Sequence, residues 1–584
     1  MTSFLTPGVY VIEESRSKSI EGVSTSTAAF VGPTLKGPYE QTPPLLTSFG
    51  EFEQIYGGME NINGQPNYIA HAVKNYFDNG GLRLYVSRVV PINTTTEQPI
   101  AATAQSADLV ADAVVAGGDA RFIARFPGSG GNGEVTLLEQ ATPASETTLN
   151  NAPIGSILRV AGATPTYFSK ETNTPELSDW ENGAGTALAE SNLASPLEIL
   201  TLTVVARDRA GNEYSYENLG FSPTHPLFIG NVLASTPAQQ SDALNNPFAI
   251  TVTGVTGLQL REALLEGQTL PDNPSMTGRI VPVSGGTSGG DPGSRDYEAA
   301  LGQLQALEDI SIIAAPGYSA YTDATLRQAI QNALITYVSR PRAYQIAVLD
   351  APRNADINGV RAARSQFDSK YVAFYYPWVV VANPLARPGD ASRPKEIALP
   401  PSGFICGIYA RNDAERGVYK APANEVVLGA LRFETDINFA QQGVLNPSGI
   451  NCLRFFPGRG YRVWGARLAS SDPEWKYVSD RRYFNYLEQS IDRGTQWAVF
   501  EPNGEGLWSK IVQSVKSFLY SEWFSGALFG SNPQEAFFVR CDRSTMTQND
   551  LNNGRLICII GVAIQKPAEF VIFRIGQKTA DARE

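Results

Sequence analysis

The sequence predicts an α/β protein of several domains. We expect a mostly parallel α/β core, an α+β C-terminal domain, one or two β-rich inserted domains, and extended strand arms at both ends. Three observations carry that expectation. From residue 295 onward, helix-period segments alternate with short apolar strand-like runs, the pattern of a parallel sheet with helices on its faces. Residues 92–290 have another texture, rich in Ala, Thr, Gly, Pro and Asn, with short strand candidates between frequent turn signals. Two apolar, β-branched runs near the ends, VYVIEE and FVIFRI, sit apart on polar tethers. At 584 residues the chain is also too long for a single core.

Taken in order, residues 1–22 form an N-terminal arm. After Pro7-Gly8, Val9 and Val11 point to one face of a strand and Tyr10 and Ile12 to the other. Residues 23–91 are the first part of the core. A strand over 26–31 ends at Gly32-Pro33, and Ser48 and Glu51 have capping-box spacing at a helix start. An amphipathic helix over 67–78 carries Tyr68, Ile69, Ala72, Val73, Tyr76 and Phe77 on one stripe, and a strand follows over 82–90. The insert spans 92–290, and SGGTSGGDPGS at its end reads as a linker back to the core. The α/β core resumes over 291–450, with helices at 296–307, after a Thr322 cap, and at 357–367. Its strands are expected at 310–314, 344–349 and 371–382.

Residues 451–565 form the C-terminal domain. It contains the hairpin LRFF-PGRG-YRVWGAR, helices at 482–492 and 507–523, and strands at 536–539 and 556–563. The last of these, near-continuous Ile and Val, reads as a strand buried on both faces. Pro567 cannot donate to a ladder, so it ends that strand and begins a C-terminal arm over 566–584. The arm carries Phe570, Val571, Ile572, Phe573 and Ile575, and nine mostly polar residues follow.

Composition excludes several functions. The net charge of −12, with no basic run, argues against nucleic-acid binding. The N-terminus lacks a signal-peptide pattern, and the longest apolar run, 371–382, is too short to span a bilayer. We therefore expect a soluble chain with no membrane insertion. Four cysteines without CxxC spacing read as reduced core thiols. Two histidines give little support to catalysis or zinc: His71 falls on the polar side of its helix, and His225 lies in the turn SPTHPLF. Residues 128–133 fit GxGxxG, but EVTLL after them is strand-like, where a phosphate site needs a helix. Gly458-Arg459-Gly460 reads as a hairpin turn, and Asp350 as a helix-capping carboxylate at a strand end. No enzyme, cofactor or metal reading survives.

The end strands remain. An unpaired apolar strand is a template for another chain's sheet edge, and a head-to-tail contact that does not close generates a helix. The residues alone therefore point to a homo-oligomeric helical assembly linked by strand exchange.

The chain also resembles a known family, the tail sheath proteins of contractile phage tails and related contractile injection systems (pyocin-like or extracellular particles). The matching stretches include TPGVYVIEE, GVSTSTAAFVGPTLKGP, YIAHAVKNYFDNGGLRLYVSRV and GINCLRFFPGRGYRVWGARLASSDPEWKYV. They also include YFNYLEQSIDRGTQWAVFEPN and the segment from Phe537 to Ile575. The resemblance implies a sheath around an inner tube, between a baseplate and a terminator, assembled in the bacterial cytoplasm. It implies contraction from a metastable extended state that drives the tube through a target envelope. It places Val9, Tyr10, Val11, Ile12 and the C-terminal arm in neighbouring subunits, with Pro567 as hinge. The inserted region would face outward and the C-terminal domain the tube, with Arg543, Gln548, Asn549 and Arg555 as tube-facing residues.

Overall fold

The computed structural model describes residues 20–93, 95–110, 117–172, 176–390 and 393–573. The expected N-terminal strand at Val9 to Ile12, and Ile575 of the C-terminal arm, lie outside the described residues.

A mixed sheet organises the core. Among the described residues its eight strands run in the order Leu45–Leu46, Leu84–Arg88, Ala28–Gly32, Ile312–Ala314, Ile346–Asp350, Val372–Tyr376, Ile450–Phe456 and Gly460–Val463. The six inner strands are parallel and only the two edge strands are antiparallel. The sequences AAFVG, LYVSR, IAVLD and VAFYY are buried at every position, as parallel strands covered on both faces must be. Alternate side chains feed two cores. Ala28 and Phe30 pack with the helices Phe49–Tyr56, Tyr68–Asp78 and Ser402–Arg416. Ala29 and Val31 pack with Ser294–Gln303, Ala324–Val338 and Ile357–Arg364 on the other side.

The insert interrupts this sheet between spatial neighbours, since Ala28–Gly32 pairs with both Leu84–Arg88 and Ile312–Ala314. Within it, long antiparallel strands Gly133–Pro143, Leu197–Asp208 and Asn273–Val283 pair side by side around a core of their own. Buried contacts tie it to the main sheet. Lys36 Nζ donates to Asp208 at 2.8 Å, and Arg88 donates to the carbonyls of Gly37 and Pro127 at 2.7 Å each. The glycine motif lies at this seam. Gly130 N donates to Leu35 O, and a Cβ on Gly128 (φ 133°) would stand 2.2 Å from that same oxygen. After one short turn the chain enters the Gly133–Pro143 strand, so the glycines serve a close approach of backbones.

A further core holds the C-terminal helices Val478–Thr495 and Glu505–Phe524, with Leu507, Ile511, Val515, Phe518 and Leu519 inward as the sequence spacing predicts. A two-stranded antiparallel sheet, Phe537–Arg540 with Ile559–Val562, packs beside them. No helix of the described residues is long and apolar enough to cross a membrane.

Several expectations change. The run 371–382 is two strands in different sheets: Val372–Tyr376 lies in the core sheet. Val379–Ala382, past Pro377, pairs with Glu396–Leu399 and Arg432–Phe433. His71 is buried rather than solvent-facing, and a helix not expected from the sequence, Ser402–Arg416, packs on the same helix at Ala72 and Tyr76. Ser402–Arg416 escapes the periodicity reading because its first nine residues are buried on every side while its polar residues cluster in the second half, leaving no stripe. Gly407 lets it approach: a Cβ there would lie 2.4 Å from Tyr76 O. Asp323, not Thr322, caps Ala324–Val338 through Thr325 N. Ser48 caps its helix through Glu51 N, but the Glu51 carboxylate turns to Thr47. Ile450–Phe456 pairs in parallel with Val372–Tyr376, so the core sheet continues past the expected border at 450/451.

Candidate functional site

The two-stranded sheet and the segment leaving it form the candidate site. The run 556–563 is not buried on both faces as its sequence suggested. Its strand Ile559–Val562 has one partner, Phe537–Arg540, and is half-exposed throughout. Phe538 is 55% exposed and Ile559 38%, and beyond the mutual ladder neither strand has a further strand partner among the described residues. Such a two-stranded unit has little stability of its own, and both of its edges are templates for an added strand. Here it rests on the helix core through Val539, Ile560 and Val562.

Next comes residue 564, bridged to Leu528, and then the C-terminal arm. Phe570, Val571, Ile572 and Phe573 are 69%, 68%, 81% and 83% exposed and belong to no strand. Their apolar faces thus meet water while Glu569, a charged residue, is turned inward. Arg467 Nε and Nη2 each donate to the Glu569 carboxylate at 2.7 Å, Asn446 Nδ2 donates at 2.8 Å and Tyr477 OH at 2.9 Å. Lys476 Nζ lies 3.4 Å away. Burial by itself would push this carboxyl up, but the hydrogen bonds from Arg467, Asn446 and Tyr477 outweigh it and hold the group at about 2. Pro567 lies between this anchor and Lys566, whose Nζ is 3.6 Å from the buried Asp480 carboxylate. Beneath residues 565–571 is a groove of about 840 Å³, walled by Tyr419, Phe439, Trp464 and Tyr477.

The expected tube-facing residues gather on an exposed loop and short helix between the two strands. Thr547 caps Gln548–Asn552 in a capping box with Asp550. Gln548 bonds Asn552, Arg555 lies 3.5 Å from Asp550, and Arg543 lies 3.7 Å from Glu505. All four are solvent-facing.

A second constellation joins the chain's distant parts. Buried Arg482 donates to both oxygens of buried Asp413 at 2.9 and 2.5 Å and to Thr25 O at 3.0 Å, while Thr25 Oγ1 donates to Asp413 at 2.6 Å. The guanidinium also lies 4.7 Å from the Tyr409 ring centre. One pair thereby fixes the N-terminal segment, a core helix and the C-terminal domain. Sequence reading did not single it out; each partner sits in an ordinary polar stretch.

The residues with potential for chemistry in the sequence are otherwise occupied. Asp350 does cap a helix, though not the next one: its oxygens accept from Ser402 N at 2.7 Å and Ser402 Oγ at 2.6 Å, at the start of Ser402–Arg416. Burial pushes its carboxyl up to about 7, against the pull of those bonds. Burial lowers His71 to about 4, and His225 Nδ1 accepts from Leu227 N. Arg459 lies over Phe456 and Trp464 in the hairpin turn. Among the described residues no group of three or more His, Cys, Asp or Glu could hold a metal.

Comparison with known proteins agrees with this architecture. Residues 290–467 match the phage tail sheath protein central domain and residues 470–578 the phage tail sheath C-terminal domain. A prophage major tail sheath protein of Pseudomonas aeruginosa is 26% identical over 270 residues, 45% of this chain and 64% of that protein. The tail sheath protein of Vibrio phage KVP40 is 23% identical over 188 residues, 32% of this chain and 27% of its own length. The matches thus span less than two thirds of these relatives. The contracted helical sheath of the anti-feeding prophage, seen by cryo-electron microscopy, has the same fold. It covers 99% of this chain and 100% of its own, with a TM-score of 0.52 and 21% identity. The chain belongs to the phage tail sheath family.

Proposed function

We propose that this protein is the structural subunit of a contractile sheath, with no catalytic role. It polymerises as a helical tube around an inner tube protein, between a baseplate and a terminator. It passes from a metastable extended state to a shorter, wider one that drives the inner tube through a target envelope. Family membership sets the assembly class. The observation that carries the linkage is the apolar run at Phe570 to Phe573, which among the described residues has no strand partner, like the outer edges of the two-stranded sheet. In an assembly such an arm becomes a strand of a neighbour's sheet, and the N-terminal run at Val9, Tyr10, Val11 and Ile12 supplies another. Each exchanged hydrogen bond contributes a net ~0.5–1.5 kcal/mol, so a handful plus apolar burial hold one link.

In this reading the C-terminal domain faces the inner tube through Arg543, Gln548, Asn549 and Arg555, and the insert faces outward. Assembly takes place in the bacterial cytoplasm, and the finished sheath is part of a phage tail or injection particle. The domain division is 1–22 and 566–584 as arms, 23–91 with 291–450 as core, 92–290 as insert and 451–565 as inner domain.

The test is electron microscopy of the intact chain and of a chain lacking residues 566–584. Intact protein forms long tubes that shorten and widen under acid or urea. The truncated chain stays folded and forms none; long tubes from it would refute the strand-exchange link. Tubes that only dissociate under acid or urea would identify a passive shell.

A further inference from the structure

We infer that Glu569 is the mount of the C-terminal arm: it pins the arm to its own subunit, so that the moving part begins at Phe570 and leaves in one fixed direction. This rests on the strand-exchange reading and adds a positioning residue to it. It also moves the pivot from Pro567 to the link between Glu569 and Phe570.

The inversion of burial carries the inference. Along residues 566–573 the apolar side chains Phe570, Val571, Ile572 and Phe573 are exposed, while the one carboxylate is drawn in, its side chain 19% exposed. Ala568 is exposed as well, and Pro567 only half-buried. Hydrophobic burial therefore does not hold this segment. It bridges a groove and is tied by polar contacts at its two ends. At the near end Gln565 Nε2 donates to Gly526 O at 2.9 Å, and Lys566 approaches Asp480 at 3.6 Å. At the far end Glu569 takes a two-pronged contact from Arg467, with Asn446, Tyr477 and Lys476 completing its shell.

The partners of Glu569 are themselves rigidly placed. Arg467 Nη1 donates to Asn446 O at 3.2 Å, and its backbone N donates to Asn451 Oδ1 at 2.7 Å on the core-sheet strand Ile450–Phe456. Lys476 and Tyr477 directly precede the helix Val478–Thr495. The mount thus takes its position from the core sheet and from the residues that lead into the helix Val478–Thr495. A planar, two-pronged Arg–carboxylate contact fixes orientation as well as distance. An arm leaving such a contact has a set heading, and a heading is what places every neighbour in the same helical register.

The charged groups facing Glu569 are Arg467 and Lys476, with Lys566 and Asp480 at the other end of the segment. The low carboxyl value means the mount keeps its charge across the physiological range, so it is not an acid switch.

The test uses the full chain with Glu569→Ala, and with Glu569→Gln as the isosteric variant should the alanine form be insoluble. Three measurements are needed: thermal unfolding, backbone hydrogen exchange over residues 565–573, and layer lines from assembled tubes. The unfolding temperature stays close to that of the parent chain. Exchange over 566–569 becomes roughly 10–100-fold faster, the loss expected for charge-assisted hydrogen bonds. Tubes still form, since the arm is intact, but their layer lines blur because subunits no longer share one rise and twist. Glu569→Gln, which keeps hydrogen-bonding atoms without the charge, falls between. Unchanged exchange over 566–569, or tubes as sharply ordered as the parent's, would overturn the assignment. A chain cut after Glu569 separates the two ideas: if it still makes tubes, the strand-exchange reading fails, whatever the exchange data show for Glu569.

Discussion

The core strand Val372–Tyr376 and the C-terminal strand Ile559–Val562 look alike in sequence, VAFYY and IIGV, yet live in different surroundings. The first is buried at all five positions between two parallel neighbours, with a helix layer on each face. The second has one antiparallel partner and is exposed or half-exposed at every position. An apolar strand left uncovered among the described residues is a template on which a further strand can pair. The same contrast separates the two ion-pair clusters. Arg482 and Asp413 are sealed inside the molecule, whereas Arg467 and Glu569 sit at its edge and hold the root of an outgoing arm.

Substitutions break this comparison in graded ways. Arg482→Ala strands the Asp413 carboxylate in the interior and should cost about 3–5 kcal/mol, read from urea unfolding. A loss below about 1 kcal/mol would mean the clamp is dispensable. Phe374→Ala opens a cavity in the core sheet and should cost about 3–5 kcal/mol. Phe538→Ala, its counterpart on the open sheet, should cost the monomer under about 1 kcal/mol while lowering the yield of tubes. Equal losses at both sites would erase the distinction drawn between the sheets.

A pH series sharpens the same contrast. The Asp350 carboxyl is raised in the folded state to about 7 from its ordinary 3.8, so the folded chain holds a proton that the unfolded chain releases. Its contribution is therefore full below the ordinary value and is lost as pH rises toward 7, at up to about 1.4 kcal/mol per pH unit. Asp350→Asn keeps an oxygen to accept from Ser402 N and turns the second contact round, Nδ2 donating to Ser402 Oγ, without a titrating group. It should match the parent near pH 4 and exceed it in stability near pH 8. A pH dependence identical to the parent's would show that Asp350 titrates normally. The smallest effect is on the exposed loop. Arg543→Ala with Gln548→Ala and Asn549→Ala should shift stability by no more than about 0.5 kcal/mol. They should weaken binding to the inner tube and reduce its salt sensitivity. Tube binding that is salt-insensitive and survives these changes would remove the loop from that interface.

Much of the architecture was legible before any coordinates. Parallel strands covered on both faces must be short apolar runs, and amphipathic helices must show a stripe, so the alternation after residue 295 and the core helices were readable. Where apolar and polar residues segregate along a helix instead of around it, periodicity vanishes, and Ser402–Arg416, buried on every side in its first half and polar in its second, shows no stripe. The solvent face assigned to His71 is buried as well, since tertiary packing covers that side of the helix. The run 556–563 misled in the opposite sense, because composition cannot tell a strand covered by its own chain from one covered by a neighbour.

The sequence by itself determined that this chain has apolar, β-branched runs near both ends and a parallel core split by an insert. Those properties follow from local composition and period. Only the tertiary structure decided which apolar strand stays open and which carboxylates are sealed. It alone set Glu569 beside Arg467, 102 residues away in the chain. Such pairings depend on which distant segments the packed sheet and helices bring together, and no local pattern encodes that.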